Sequence, residues 1–147
     1  MAWYGDLAHC REFDGANRWD TSALLAVGYL ERGKPFAVGP TGQRFRERLT
    51  GLLQSPWGFM DFLGGHTCDL CESAAPHGSG EVFVPGEHCI YVAPRLVLHY
   101  VETHRYRPPD AFVRAVLACP KMGSSRYLRA LRYAGADQTW FPEPGAT

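Results

Sequence analysis

The sequence predicts an α+β fold: one small domain with a zinc knuckle, a β-hairpin and three to four helices. Three observations carry that expectation. Apolar residues recur with helical period at 41–54 and in three shorter stretches after Pro94. Two runs rich in β-formers, Glu81-Val82-Phe83-Val84 and Cys89-Ile90-Tyr91-Val92, flank Pro85-Gly86. A Cys-x2-Cys pair, Cys68 and Cys71, is followed by His99 and His104.

Taken in order, residues 1–20 alternate aromatics with charges around the turn signal Asp14-Gly15 and read as irregular, with room for a short strand. Ser22 to Leu30 is a nearly continuous apolar run, and periodicity does not decide between a buried strand and a short buried helix. Thr41 to Gln54 is clearer. Phe45, Leu49, Leu52 and Leu53 share one face, Arg44, Glu47 and Arg48 take the others, and Ser55-Pro56 stops the helix.

After the knuckle, Glu72 to Gly80 reads as a polar loop leading into the hairpin. Pro94 suits the first turn of a helix, where its missing N–H costs nothing. That helix is expected to reach about Arg105, with Leu96, Val97, Tyr100 and Val101 on its core side, and to end before Pro108-Pro109. Asp110 caps a further helix through Ala118. Ser124 or Ser125 caps the last one, through Tyr133, with Gly135 as its stop. The tail from Trp140 reads as loose. No linker or repeat divides the chain, so 1–147 is expected to be a single zinc-binding domain, with 1–20 and 140–147 irregular.

Composition bounds the function classes. Within 147 residues, Lys plus Arg and Asp plus Glu each number 15, so the net charge is zero with neutral histidines. Global electrostatics therefore supply no pull towards nucleic acid or anionic membrane. The N-terminus shows no basic stretch followed by an apolar run, and Ala23 to Leu30 is too short to span a bilayer. Five cysteines, two of them three apart, point to metal or redox chemistry ahead of a disulfide framework. A reducing cytoplasm is the expected compartment.

The chemistry rests on Cys68-x2-Cys71-x27-His99-x4-His104. Zinc prefers thiolate and imidazole ligands in a tetrahedron, and the His-x4-His spacing falls within the range of two-Cys two-His sites. At about 100° per residue, however, two histidines five apart lie roughly 140° apart around an ideal helix. They converge only where the last turn tightens or unwinds. His66, directly before the knuckle, is the alternative fourth ligand, and His77, His88 and Cys89 are further candidates. A redox CxxC and a pair of ordinary buried thiols are the competing readings, and the redox use prefers the start of a helix, which Glu72-Ser73-Ala74-Ala75-Pro76 does not offer. His9 and His88 have no supporting pattern, and Cys10, Cys89 and Cys119 read as core thiols.

Four protein ligands would close the coordination sphere, which favours a structural ion. Catalysis would need three ligands and an open position, with Glu72, Glu87 or Glu102 as base. There is no HExxH, deaminase pattern, phosphate loop or nucleophile elbow, so catalytic residues stay unassigned. Lys121, Arg126, Arg129 and Arg132 fall in an acid-free stretch with Tyr127 and Tyr133. Such interleaving serves phosphates and bases, yet arginine and tyrosine are equally the residues of a protein-binding hot spot. Arg44, Arg46 and Arg48 form a second cluster.

Several motifs occur together: Gly65-His66-Thr67-Cys68-Asp69-Leu70-Cys71, then Ile90-Tyr91-Val92-Ala93-Pro94, then His99-Tyr100-Val101-Glu102-Thr103-His104 running into Tyr106, Pro108-Pro109 and Phe112. Ala26-Val27-Gly28-Tyr29-Leu30 and Lys34-Pro35-Phe36 precede them. In this combination, over roughly residues 22–118, the chain resembles a family of small uncharacterised bacterial proteins. The resemblance implies a bacterial, cytoplasmic protein that keeps the cysteine and histidine elements together; it brings His66 nearer the site and implies no reaction. The leading expectation is a small zinc protein that recognises a protein partner without catalysis. The alternatives are a small metalloenzyme and a nucleic-acid regulator acting through the C-terminal basic helix.

Overall fold

The computed structural model describes residues 2–14, 20–57, 65–71, 76–137 and 139, and leaves out the side chains of Gly65, His66 and His77. The elements are β1 (Leu24–Ala26), α1 (Gln43–Gln54), β2 (Gly65–Thr67), β3 (His77–Ser79), β4 (Glu81–Pro85), β5 (Ile90–Pro94), α2 (Val97–His104), α3 (Asp110–Ala118) and α4 (Ser125–Ala134). The fold is α+β.

Strand β5 is central in a three-stranded sheet, with β1 parallel on one side and β4 antiparallel on the other. Every residue of β5 is buried, which fits its uninterrupted apolar sequence Ile90-Tyr91-Val92-Ala93-Pro94. The paired residues Val84 and Tyr91 sit one step from the pair Phe83 and Val92, so the two pairs project to opposite faces. Tyr91 meets Phe112 of α3 edge-on at 5.9 Å, and Phe112 meets Phe45 of α1 at 6.3 Å. Phe83 packs instead against Phe13 of the N-terminal segment at 5.5 Å. Removing each of these large side chains from water contributes roughly 1.5–3 kcal/mol.

Ser22 to Leu30 resolves into a strand of only three residues, and the N-terminal segment runs beside it. Leu7 N–H donates to the Ala26 carbonyl at 2.7 Å, and Cys10 N–H to that of Leu24 at 2.9 Å. A single bridge joins His9 to Leu25. The polar loop expected at 72–80 is corrected at its end, because His77–Ser79 pairs with Gly65–Thr67 as an antiparallel ribbon. Its glycine-rich, polar sequence conceals the strand, since no apolar alternation marks it.

Pro94 also departs from expectation. It pairs with Glu81 as the last residue of β5, and α2 begins three residues later at Val97. Asp110 is the first helical residue of α3 rather than its cap, and pairs with Arg107 at 3.6 Å. Ser124 does cap α4, its hydroxyl accepting from Tyr127 N–H at 3.2 Å, and Gly135 closes that helix in the left-handed region. Tyr127 then reaches across to β4, where its hydroxyl donates to the Phe83 carbonyl. The tail 140–147 lies outside the described residues. No helix among the described residues is long and apolar enough to cross a membrane.

Candidate metal centre

The ribbon of β2 and β3 brings the chain to Cys68, whose N–H donates to the Pro76 carbonyl at 3.0 Å. That bond ties the start of the knuckle to the approach of β3. Cys68 is buried, while Cys71 is partly exposed. Opposite them stands α2, held by Val97, Tyr100 and Val101 in the core, with His99 and His104 half-buried on its flank.

Four ligand atoms converge here. Cys71 Sγ lies 3.3 Å from His99 Nε2 and 3.4 Å from His104 Nε2. Cys68 Sγ lies 3.5 Å from His104 Nε2. All four ligand atoms fall within 4.8 Å of one another. With Zn–S about 2.3 Å and Zn–N about 2.05 Å, neighbouring sulfur and nitrogen ligands of a tetrahedron are about 3.5 Å apart. Three of the sulfur–nitrogen separations, 3.3 to 3.5 Å, match those edges. Such a group can hold a metal ion.

Two histidines five residues apart reach one point near the end of α2. Arg105 takes the left-handed conformation at φ 56, and its N–H reaches back to the Tyr100 carbonyl, a step of five residues instead of four. Tyr106 N–H donates to the same carbonyl at 3.1 Å. The helix thus ends, directly after His104, in a turn that closes over Tyr100 by wider steps than the α-helical four. The two imidazoles end with centroids 5.1 Å apart and planes nearly perpendicular.

The segment beyond is anchored on both sides. Gly39 N–H donates to the Arg105 carbonyl and Arg107 N–H to that of Ala37, both at 2.9 Å. Tyr106 is fully buried, and its hydroxyl donates to Asp6 Oδ2 at 2.8 Å. Asp6 Oδ1 accepts from Gly28 N–H at 3.1 Å, where a φ of +78° suits glycine.

The surroundings favour the neutral form of His99 and the protonated form of Cys71. Burial, then the nearby His104, lowers the pKa of His99. Burial raises that of Cys71, followed by its hydrogen bond with Cys68 and the charge there. His99 Nδ1 lies 3.3 Å from Thr103 Oγ1, which fixes the ring and leaves Nε2 facing the sulfurs.

Of the residues offered as further ligands, those whose side chains are described fall outside the cluster. The side chain of His66 lies outside the described part of the structure, as does that of His77. His88 is exposed on the turn between β4 and β5. Cys89 is half-exposed there rather than a core thiol, since the tight turn at Gly86 carries it towards the surface. Cys10 and Cys119 are buried. His9 pairs with Asp14 at 3.2 Å. Of the possible bases, Glu102 is exposed on α2, Glu87 lies on the hairpin turn, and Glu72 is outside the described residues. One participant carries no sequence signal: Arg32, from the loop after β1, hydrogen-bonds the backbone of the knuckle.

Residues 2–117 match a family described as a domain of unknown function, DUF7919. The chain belongs to the DUF7919 family. All four clustered side chains fall inside the DUF7919 segment, whereas α4 lies beyond it. The uncharacterised family implied by the sequence motifs is thus met. No curated protein and no solved structure matches the chain.

Proposed function

We propose that this DUF7919 protein binds one zinc ion through Cys68, Cys71, His99 and His104, and that the ion is structural. The observation that carries this reading is three sulfur–nitrogen separations of 3.3 to 3.5 Å, the length expected for such edges in a zinc tetrahedron. Two thiolates and two neutral imidazoles suit zinc better than calcium or magnesium, which take oxygen ligands. Four protein ligands leave no position for a water or substrate, so the ion would fasten the knuckle to α2 rather than perform chemistry. On this reading the protein is a non-enzymatic interaction module for a protein partner. Five unpaired cysteines support a reducing cytoplasm, as expected of the bacterial family the motifs resemble.

The test is elemental analysis of protein purified without added metal, followed by zinc-edge absorption. One zinc per chain with two sulfur and two nitrogen neighbours supports the reading. A bound water in place of a protein ligand, or iron or copper in the site, would replace it with the metalloenzyme alternative.

A further inference from the structure

The knuckle is a four-residue turn at the end of a three-residue strand, so little of its shape comes from regular secondary structure. One side chain from a distant part of the chain supplies bonds that the turn does not make for itself. Arg32 Nε donates to the Asp69 carbonyl at 2.6 Å and its Nη2 donates to the Cys71 carbonyl at 3.1 Å. Its own backbone N–H donates to Asp69 Oδ2 at 3.2 Å. We propose that Arg32 is a positioning residue for the metal centre, setting the direction of the Cys71 thiolate towards both histidines. This rests on the zinc reading above.

The geometry explains why the effect should fall on Cys71. A planar guanidinium offers its donors in a fixed fork. By grasping the carbonyls of residues 69 and 71 together, it holds the peptide group before Leu70 and the carbonyl that follows the Cys71 Cα, and so brackets the Leu70–Cys71 segment from both ends. The third bond locks the base of the arm to the same turn, so Arg32 and the knuckle form closed rings. Cys71 is the ligand that faces both imidazoles, at 3.3 and 3.4 Å, so a small rotation there opens two edges of the tetrahedron at once. Lysine could not reproduce the brace, because a single ammonium does not present two donors in one plane. Arg32 is itself exposed, so its replacement removes little packing. Its role should therefore show in metal binding more than in the fold.

The experiment compares the full-length protein with Arg32→Gln and Arg32→Lys, titrating cobalt(II) and then displacing it with zinc. Supporting groups around metal ligands typically change affinity by about 10- to 100-fold. We expect Arg32→Gln to lose about tenfold in cobalt affinity, and Arg32→Lys nearly as much, with the visible bands of a four-coordinate S2N2 ion retained and weakened. The melting temperature of the metal-free variants should stay close to that of the metal-free parent. Leu131→Ala in α4 serves as the comparison, because it destabilises the fold away from the site and should leave cobalt affinity unchanged. An unaltered affinity in Arg32→Gln overturns the role of Arg32 while leaving the zinc reading intact. A metal-free melting temperature lowered as much as in Leu131→Ala overturns it too, by making Arg32 a support of the fold. Parent protein that binds neither cobalt nor zinc overturns both.

Discussion

Cys71 Sγ and His99 Nε2 stand 3.3 Å apart although the residues are 28 positions apart and belong to separate elements. A metal shared by them would act as a cross-link between the knuckle and α2. A ligand that binds only the folded state at a thousand times its Kd stabilises by about 4 kcal/mol. For a chain of this size, each kcal/mol moves the Tm by about 2–4 °C. Chelation should therefore lower the Tm by about 10 °C, measured by circular dichroism with and without a chelator. Cys68→Ser should reproduce the loss and make the protein insensitive to chelator. Parental stability in that variant would be incompatible with a structural ion.

Acid should weaken the same cross-link. The pKa of His99 is lowered from its ordinary 6.5, so between the two values the unfolded chain binds a proton that the folded chain refuses. Its contribution to stability is therefore complete above about pH 6.5 and is lost as pH falls below that value. Cys71, whose pKa is raised, must surrender a proton to bind metal, so affinity also falls with acidity. A series of melts from pH 8 to pH 5 should show a Tm that declines below about pH 6.5. A flat profile would mean that His99 does not titrate against folding.

Tyr106→Phe tests the anchor beyond α2. The substitution keeps the buried ring and removes the donor that Asp6 Oδ2 accepts at 2.8 Å. Asp6 is exposed, so water takes the vacated place and the loss is that of one net hydrogen bond, about 0.5–1.5 kcal/mol. Denaturant unfolding should give a loss in that range. Because phenylalanine preserves the bond from the residue 106 N–H to the Tyr100 carbonyl at the end of α2, metal content should remain unchanged.

The outer face of α4 offers a test of the partner class. Arg126, Arg129 and Arg132 are exposed on it, and Tyr133 is 81 % exposed. The net charge of zero works against a long polyanion. Labelled single-stranded DNA should therefore show no binding at about 150 mM salt, where weak phosphate contacts are screened. Tight binding that disappears when all three arginines are changed to Glu would replace the protein-partner reading with a nucleic-acid one.

Local features were legible in the sequence wherever neighbouring residues decide the structure. The apolar spacing of Phe45, Leu49 and Leu52 places α1 on the core, with those three residues buried. Ser124 and Gly135 mark the ends of α4 because capping is a matter of a few adjacent backbone groups. Strand β3 was not legible, since a polar, glycine-containing segment pairs with β2 through backbone alone. Pro94 misled because a proline is equally at home opening a helix or closing an edge of strand pairing.

For the site, the sequence by itself determined the donor chemistry: two thiols in one turn and two imidazoles downstream, a set whose softness points to zinc. The tertiary structure alone decided that those atoms meet. The convergence is accompanied by the turn at Arg105 that closes over Tyr100, by the bond of Tyr106 to Asp6 from the far end of the chain, and by the grip of Arg32 on Asp69 and Cys71. The last two are contacts between residues distant in sequence, and linear spacing records distance along a chain, not through space.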